Sequence, residues 1–400
     1  MSIRIIIEII DLLLWIIIAG NVFYVLFFAL ASLLPKKKKK TLPSSISHQP
    51  SFLVLFPAYH EDAVIIHSIE SFLHQDYPKE LFHVAVISDN MSDETNQHLA
   101  SLPITLLCPN FEKSSKAKAL RHAISSISHH TSSAYDYVVV LDADNIVAPD
   151  FLTQLSKIAH PSMAIQCHRT AKNADNDIAA LDGLSEEINN SIFRKGHNRI
   201  GMSSALIGSG MCFDYHWFSA NVCKLDSAVE DRELEALLMM QGVHIHYAED
   251  ILVMDEKVSS SDNFQRQRLR WMTGQVQAFL QMLPNLPKTI ITGNINYIDK
   301  TIQQALIPRS ILLVLTPILC IIATLTSSIF HLPSPIYHLK WWLLMLLFFA
   351  ALFAAIPAKQ RSNDLINKLF TIPDLALRML KNIKSINPHN KDFIHTTHHQ

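Results

Sequence analysis

Glycine is scarce in this chain, with nine residues in 400, where roughly 7% is usual. Neither G-x-G-x-x-G nor G-x-x-x-x-G-K-[ST] occurs, so dinucleotide and P-loop readings lack their phosphate-cradling turns. Cysteine is also sparse. Cys108, Cys167, Cys212, Cys223 and Cys320 are odd in number, scattered and without C-x-x-C spacing. That pattern excludes a disulfide framework or cysteine zinc site and reads as reduced thiols. Charged residues are only 17% of the chain, low for a fully soluble enzyme. The net charge of −1 gives no argument for a nucleic-acid partner. Histidine alone is abundant, at 21. Yet His244 and His246 on one strand face, and His395, His398 and His399 in a polar tail, have no carboxylate or cysteine at a recognised metal spacing.

Long apolar runs are what the chain has in plenty. Leu12–Leu34 holds 23 residues without a charge, enough to span a hydrocarbon core. Lys36 to Lys40 follow at once, which places that end in the cytoplasm by the positive-inside rule. A cleaved signal peptide is the rival reading, since Ala29-Leu30-Ala31 resembles a cleavage site. The run is too long for one, however, and the lysines lie on its wrong side. Two later spans are expected. One is Ser310–Phe330; the other is Trp341–Ile356, extended back to Tyr337 with Lys340 snorkelling to the headgroups. Pro333–His338 would be the outer hairpin, with Lys359 and Arg361 back in the cytoplasm. The expected organisation is an anchor over 1–35, a basic and Ser/Pro linker over 36–50 and a cytoplasmic domain over 51–275. Interfacial amphipathic helices would occupy 276–308, two spans 309–357 and a cytoplasmic tail 358–400. Val276–Leu283 and Ile298–Leu306 are the interfacial segments, unless they pack as ordinary amphipathic helices on the domain. Ile188–Ile200 is a vaguer third. An inner (cytoplasmic) membrane, multi-pass location follows.

Within the soluble segment, strand-like and helix-like stretches alternate. Phe52–Phe56, Phe82–Ile87, Ile104–Leu107 and Tyr137–Leu141 read as strands. Asp62–His74, Ser92–Ser101 and Ser115–Ser128 read as the helices between them. Such alternation predicts right-handed crossovers and a mostly parallel α/β sheet. Ligands of open α/β sheets bind beyond the carboxyl ends of the strands. Asp89 follows the second strand and Asp142-Ala143-Asp144 the fourth, so these carboxylates fall on one edge. Two carboxylates one residue apart suit a divalent cation shared with substrate phosphates. A solvated pair is the plain alternative, and Asp89 could simply cap a turn amide.

In this order the motifs resemble membrane-bound, inverting family 2 glycosyltransferases of the processive-synthase-like branch, relatives of cellulose, hyaluronan and poly-N-acetylglucosamine synthases. Phe56-Pro57-Ala58-Tyr59-His60-Glu61 is similar to that family's P-x-Y-N-E, with His60 where Asn is usual. Ser88-Asp89-Asn90 matches its nucleotide-binding aspartate, and Lys116-Ala117-Lys118-Ala119-Leu120 resembles K-A-G-A-L. Lys118 stands there in a usual Gly position, and Arg121 follows in a usual Asn position. Asp142-Ala143-Asp144 is the metal motif, Gly208-Ser209-Gly210 the acceptor-side turn, and Val229-Glu230-Asp231 the T-E-D motif with Val for Thr. Gln267-Arg268-Leu269-Arg270-Trp271 matches Q-x-x-R-W throughout.

The resemblance implies a GT-A-type fold with one N-terminal and about two C-terminal transmembrane helices. It implies a UDP-sugar bound by Pro57, Tyr59, Glu61, Asp89, Lys116, Asp142 and Arg270, and Mg²⁺ or Mn²⁺ at Asp144 assisted by Asp142. The acceptor would meet Gly208, Ser209, Gly210, Glu230, Gln267 and Trp271, with Asp231 as general base. Three bland alternatives stand beside these roles. Lys116 could be a solvated lysine, Glu230 or Asp231 a helix cap, and Arg270 and Trp271 interfacial residues. Arg266, Arg268 and Arg270 together also fit a phosphate-rich site. The expected partners are the donor, a glycan or lipid-linked acceptor and membrane lipids. Three spans are few for a private channel, so an oligomer or export partner would have to complete one. A non-enzymatic scaffold would be expected to lack metal or base carboxylates, and none is missing.

Overall fold

The computed structural model describes residues 3–36, 49–128, 135–173, 176–227, 229–258, 260–330 and 336–361, with Asn382, Ser385 and Ile386. The expectations for Lys37–Lys40, most of the linker, the start of the outer hairpin and most of the tail lie outside the described residues.

A long helix comes first, α1 (Ile3–Ser32). The globular part then runs β1 (Phe52–Tyr59), α2 (Ile65–Phe72), β2 (Phe82–Asp89), α3 (Asp93–Ala100), β3 (Thr105–Leu107), α4 (Lys116–Ser128) and β4 (Tyr137–Val140). It continues through β5 (Ile146–Val147), α5 (Phe151–Ser156), β6 (Met163–Ala171) and α6 (Asp177–Asn189). A π-helical turn (Asn190–Gly196) then leads into α7 (His197–Arg199). After these come β7 (Met211–Asp214), α8 (Tyr215–Asn221), α9 (Glu230–Met240), β8 (His244–Asp255), α10 (Ser261–Met282), α11 (Leu286–Ile291) and α12 (Ile295–Ala305). Two apolar helices, α13 (Arg309–Ile329) and α14 (Ile336–Ala355), close the order.

The eight strands form one sheet, ordered β3-β2-β1-β4-β7-β6-β8-β5. β3, β2, β1 and β4 pair in parallel, as does β6 with β8. β7 is antiparallel to both β4 and β6, and β5 to β8. This is the mostly parallel α/β sheet expected from the strand–helix alternation. The alternation of β1 explains its two-sided burial. Phe52, Val54 and Phe56 pack with Ile65, Ile69 and Phe72 of α2 and with Phe151 and Leu152 of α5. Leu53 and Leu55 face the other layer, built from α4, α8 and α9 through Leu120, Phe218, Leu234 and Leu238. Both faces are therefore apolar, as a helix-covered parallel strand requires.

α1, α13 and α14 are long and apolar enough to cross a membrane. They share a third core with α6 through Val22, Leu184, Leu312, Phe348 and Ala351. α1 lies within the expected anchor over 1–35, starting nine residues before Leu12, and it carries Asp11, which is buried. The Lys340 ammonium pairs with the Asp11 carboxylate, whose Oδ1 also accepts from Trp341 Nε1 at 2.7 Å. A buried aspartate needs a cation, and the α1–α14 contact supplies one. The segments expected as interfacial helices fall in α10 and α12, which pack into the domain; Tyr297, Asp299, Lys300, Gln303 and Gln304 are buried.

Candidate active site

β1 and β2 end level at Tyr59 and Asp89, while β4 stops opposite Leu55 and is followed two residues on by Asp142, so all three side chains emerge from the carboxyl ends of parallel strands. The residues just past β1 and β2, His60 and Asn90, both have left-handed backbones with φ of 53° and 56°. Asn and His are among the side chains that tolerate this conformation best, which accounts for His60 standing where Asn is usual.

One cavity of about 920 Å³ opens at this edge. From the strand ends it is lined by Pro57, Tyr59, Glu61, Asp89, Asp142 and Asp144, and from α4 by Lys116. Gly208, Glu230 and Asp231 face it from a second side, and Gln267, Arg270 and Trp271 of α10 from a third. Ser209 and Gly210, expected at the acceptor turn, do not line it. The Ser209 carbonyl accepts from Gln166 Nε2 at 2.8 Å, and that of Gly210 from the Cys167 amide at 2.7 Å. A side chain at Gly210 would strike Val253 and Cys167 at 3.0 and 3.3 Å, so this glycine serves packing. Gly208, at φ +85°, is the one that meets the cavity: a Cβ there would lie 3.8 Å from Lys116 Nζ and Glu230 Oε1 and 3.9 Å from Asp231 Oδ2.

Lys116 is not a solvated lysine. Its Nζ pairs with Asp142 Oδ1, donates to the Gly208 carbonyl at 2.8 Å and lies 3.6 Å from Glu230 Oε1. Burial disfavours its charge, but Asp142 and Glu230 outweigh burial and raise its pKa. Glu230 and Asp231 open α9, where the helix dipole favours acidic side chains. Neither caps it: Val229 holds the cap position and no side chain closes it. Asp231 Oδ1 accepts from the Arg232 amide at 2.9 Å. Glu230 is buried, and desolvation pushes its carboxyl up to about 7, opposed by Lys116 and reinforced by Asp231. Burial lowers the Arg270 guanidinium, against the attraction of Glu230, Asp142 and Asp231. Burial also raises Asp89, whose Oδ1 accepts from Asn90 Nδ2 at 2.9 Å.

Asp144 Oδ2 accepts from the Glu256 amide at 2.8 Å and Oδ1 from Asn145 Nδ2 at 3.1 Å. Among the described residues no cluster of three His, Cys, Asp or Glu side chains could cage a metal ion. Two carboxylates on a cavity edge nonetheless fit a hard cation that takes the rest of its shell from phosphates and water. Arg266 is exposed and away from the cavity. Arg268 lines it but pairs with Asp182 and lies over the Phe264 and Trp271 rings, 4.7 and 4.3 Å from their centroids.

Sequence reasoning missed the floor of the cavity. Arg169 Nη2 lies 2.8 Å from Glu186 Oε2 and its Nε 3.4 Å from Asp255 Oδ2, while Lys257 Nζ bridges the same two acids at 3.3 and 2.7 Å. Burial pushes Asp255 up to about 6 against the pull of Lys257 and Arg169, and nearby Asp144 adds to the rise. Arg169 also donates to the Ile207 carbonyl at 3.2 Å, Gln166 Oε1 accepts from the Ile207 amide at 3.0 Å, and Glu235 Oε2 accepts from the Leu206 amide at 2.8 Å. These three side chains hold the irregular segment that leads into Gly208. Polar residues inside an otherwise buried strand, Gln166 and Arg169 of β6, were the available signal.

The model of the family described as "Glycosyltransferase like family 2" matches residues 49–274. An N-acetylglucosaminyltransferase of Rhizobium leguminosarum bv. viciae is 25% identical over 257 residues, which cover 60% of this chain and 58% of that protein. A beta-monoglucosyldiacylglycerol synthase of Trichormus variabilis is 23% identical over 257 residues, 62% of this chain and 53% of that one. The chain thus spans little more than half the length of these curated relatives. Among solved structures, a mannosyltransferase of Pyrobaculum calidifontis in complex with GDP-Man and Mn²⁺ superposes with a TM-score of 0.54 at 18% identity, over 87% of this chain and 97% of that one. That likeness is one of fold. A family match over more than half of the chain, on the domain that holds the cavity, makes this protein a member of the family 2-like glycosyltransferases.

Proposed function

We propose that the chain is a membrane-associated inverting glycosyltransferase that moves a sugar from a nucleotide-diphosphate sugar, of the UDP class implied by the sequence resemblance, to an acceptor hydroxyl. The supporting observation is the meeting of Asp231 Oδ2, Glu230 Oε1 and Lys116 Nζ within 4 Å of one point beside Gly208, in the cavity that also holds Asp89, Asp142, Asp144 and Arg270. Asp89 accepts hydrogen bonds from the base or ribose. Asp142 and Asp144 would hold Mg²⁺ or Mn²⁺, which would supply Lewis-acid neutralisation of the leaving diphosphate. Asp231 takes the proton of the acceptor hydroxyl as that oxygen bonds to the anomeric carbon from the face opposite the diphosphate. The old bond breaks with its electron pair on the diphosphate, whose charge Arg270 faces. Lys116 fixes Asp142 and the Gly208 carbonyl, so the metal edge and the acceptor edge move as one unit. The lysines that follow the first apolar run support a cytoplasmic side for the catalytic domain. Processive synthesis, the finer reading from Q-x-x-R-W, requires a product of many sugars.

Nucleotide release from a panel of UDP- and GDP-sugars, with and without Mn²⁺ and Mg²⁺, tests this directly. Release that depends on the cation, on one class of donor and on Asp231 is expected. Cation-independent turnover would remove Asp142 and Asp144 from the mechanism, and the length of the product separates polymer extension from single transfer.

A further inference from the structure

The cavity does not end at the chemistry. Its lining also includes Arg309 and an apolar arm made of Leu184 of α6, Leu313 and Val314 of α13, and Phe349, Phe353 and Ile356 around α14. This arm is hydrocarbon, and it belongs to helices apolar enough to cross a membrane. It also has an opening. Phe349 and Phe353 line the cavity yet are 44% and 60% exposed on the outer face of α14, so the arm reaches the surface that lipid chains would cover. A glycan threaded here would find no partner for its hydroxyls, and desolvating them unpaired is costly.

The same lining carries a charge with no ion-pair partner among the described residues. Arg309 Nη2 donates to Asn189 Oδ1 at 2.7 Å, to the Ser185 carbonyl at 3.1 Å and to Ser185 Oγ at 3.5 Å, all neutral acceptors. Neighbouring carboxylates are already engaged: Glu186 by Arg169, Lys257 and Arg194, and Asp182 by Arg268. Among the described residues no carboxylate forms an ion pair with Arg309. It is also the first residue of a 21-residue helix, whose N-terminal dipole favours negative charge. A guanidinium so placed suits a phosphate.

Resting on the glycosyl-transfer reading above, we propose that the acceptor is a membrane lipid that enters sideways between α13 and α14. Its hydrocarbon chain fills the arm, a phosphate in its head meets Arg309, and a hydroxyl beyond that phosphate reaches Asp231. The new bond joins that hydroxyl oxygen to the donor's anomeric carbon, the nucleotide diphosphate leaves with the electron pair of the old bond, and the proton passes to Asp231.

The experiment uses the full chain in lipid nanodiscs, a donor that gives nucleotide release, and n-alkyl phosphates of 4, 10 and 16 carbons as competitors at equal mole fraction. Each buried methylene adds to binding, so hexadecyl phosphate is expected to inhibit at a concentration at least ~10-fold below that of butyl phosphate. Transferred sugar is expected in the organic extract. Arg309→Gln should weaken hexadecyl phosphate by ~10-fold while leaving hexadecanol unchanged. Val314→Trp, which fills the arm, should flatten the chain-length series; the wild-type series stands by itself if that variant does not fold. Nucleotide release with equal inhibition by all three chain lengths, or with sugar found only in a water-soluble polymer, overturns the lipid assignment and leaves the transferase reading intact. No release from any donor overturns both.

Discussion

Glu230 and Asp231 are consecutive carboxylates that their surroundings set apart. Asp231 keeps one oxygen toward Gly208 and the cavity and takes an amide with the other, whereas Glu230 is buried with its carboxyl pushed up to about 7. Asp231→Asn is therefore expected to lower transfer by roughly 10²–10⁴-fold, with nucleotide affinity by calorimetry unchanged. Near-normal turnover in that variant would exclude Asp231 as the base. For Glu230 the consequence is one of stability. Its folded pKa of about 7 lies above the ordinary 4.5, so the native state holds a proton that the unfolded chain releases between those values. Its stabilising contribution is thus full below about 4.5, falls as pH rises and is gone above about 7. Glu230→Gln stays neutral throughout. Its gain in melting temperature over the wild type should be small at pH 5 and largest at pH 8, where the carboxylate costs on the order of 1–3 kcal/mol. Equal melting shifts at both pH values would show that Glu230 does not titrate in this window.

Elements meet most tightly where α10 crosses the start of α9. A Cβ on Gly274 would lie 2.2 Å from Val229 Cγ1 and 3.0 Å from its Cγ2, so only glycine lets α10 approach the residue before Glu230 and Asp231. Gly274→Ala should push the two helices apart and displace the base relative to Arg270 and Trp271 on α10. A fall in kcat of at least ~10-fold is expected, because misplacement by an ångström is that costly. Gly274→Ala with Val229→Ala should recover most of it. Failure of the double variant to recover would mean that this contact does not set the base. Such a relation is invisible in the sequence, since it joins positions 45 residues apart that follow no shared pattern. What was legible there were the strands β1, β2 and β4, because helix-covered strands are apolar on both faces, and the edge where Asp89 and Asp142 emerge. Illegible were the supports from β6 and α6. Arg169, Glu186, Asp255 and Lys257 are charged residues that burial and mutual pairing make part of one cluster, and single-residue character points such residues toward water. Ser209 and Gly210 misled for a related reason: a three-residue turn motif does not reveal that only its first residue faces the cavity.

At the scale of the whole molecule, the three apolar helices and the α/β domain share side chains rather than a linker. Arg199 Nε donates to the Leu34 carbonyl at 2.9 Å and Asn21 Oδ1 accepts from the Ile307 amide at 2.7 Å. A Cβ on Gly196 would lie 2.3 Å from the Phe28 carbonyl oxygen, so the π-helical turn rests on α1 backbone to backbone. Run length alone located the three apolar helices, yet it could not show how they associate, since any apolar helix satisfies the same count. Besides their shared apolar core, α1 and α14 are joined by the Asp11–Lys340 ion pair, completed by Trp341. A charge pair is a poor source of net stability, but removing one partner strands the other. Asp11→Ala should therefore lower the melting temperature of the detergent-solubilised protein markedly, by an amount equivalent to a few kcal/mol. Asp11→Ala combined with Lys340→Met, which restores neutrality and keeps the length of the side chain, should return most of that loss. α13 and α14 both line the cavity, and this pair joins α14 to α1. The single variant should consequently lose transfer activity at temperatures where the domain itself remains folded by circular dichroism, and the double variant should keep it. If single and double variants melt alike, the pair does not hold α14 in place, and the apolar helices dock on the domain by apolar packing alone.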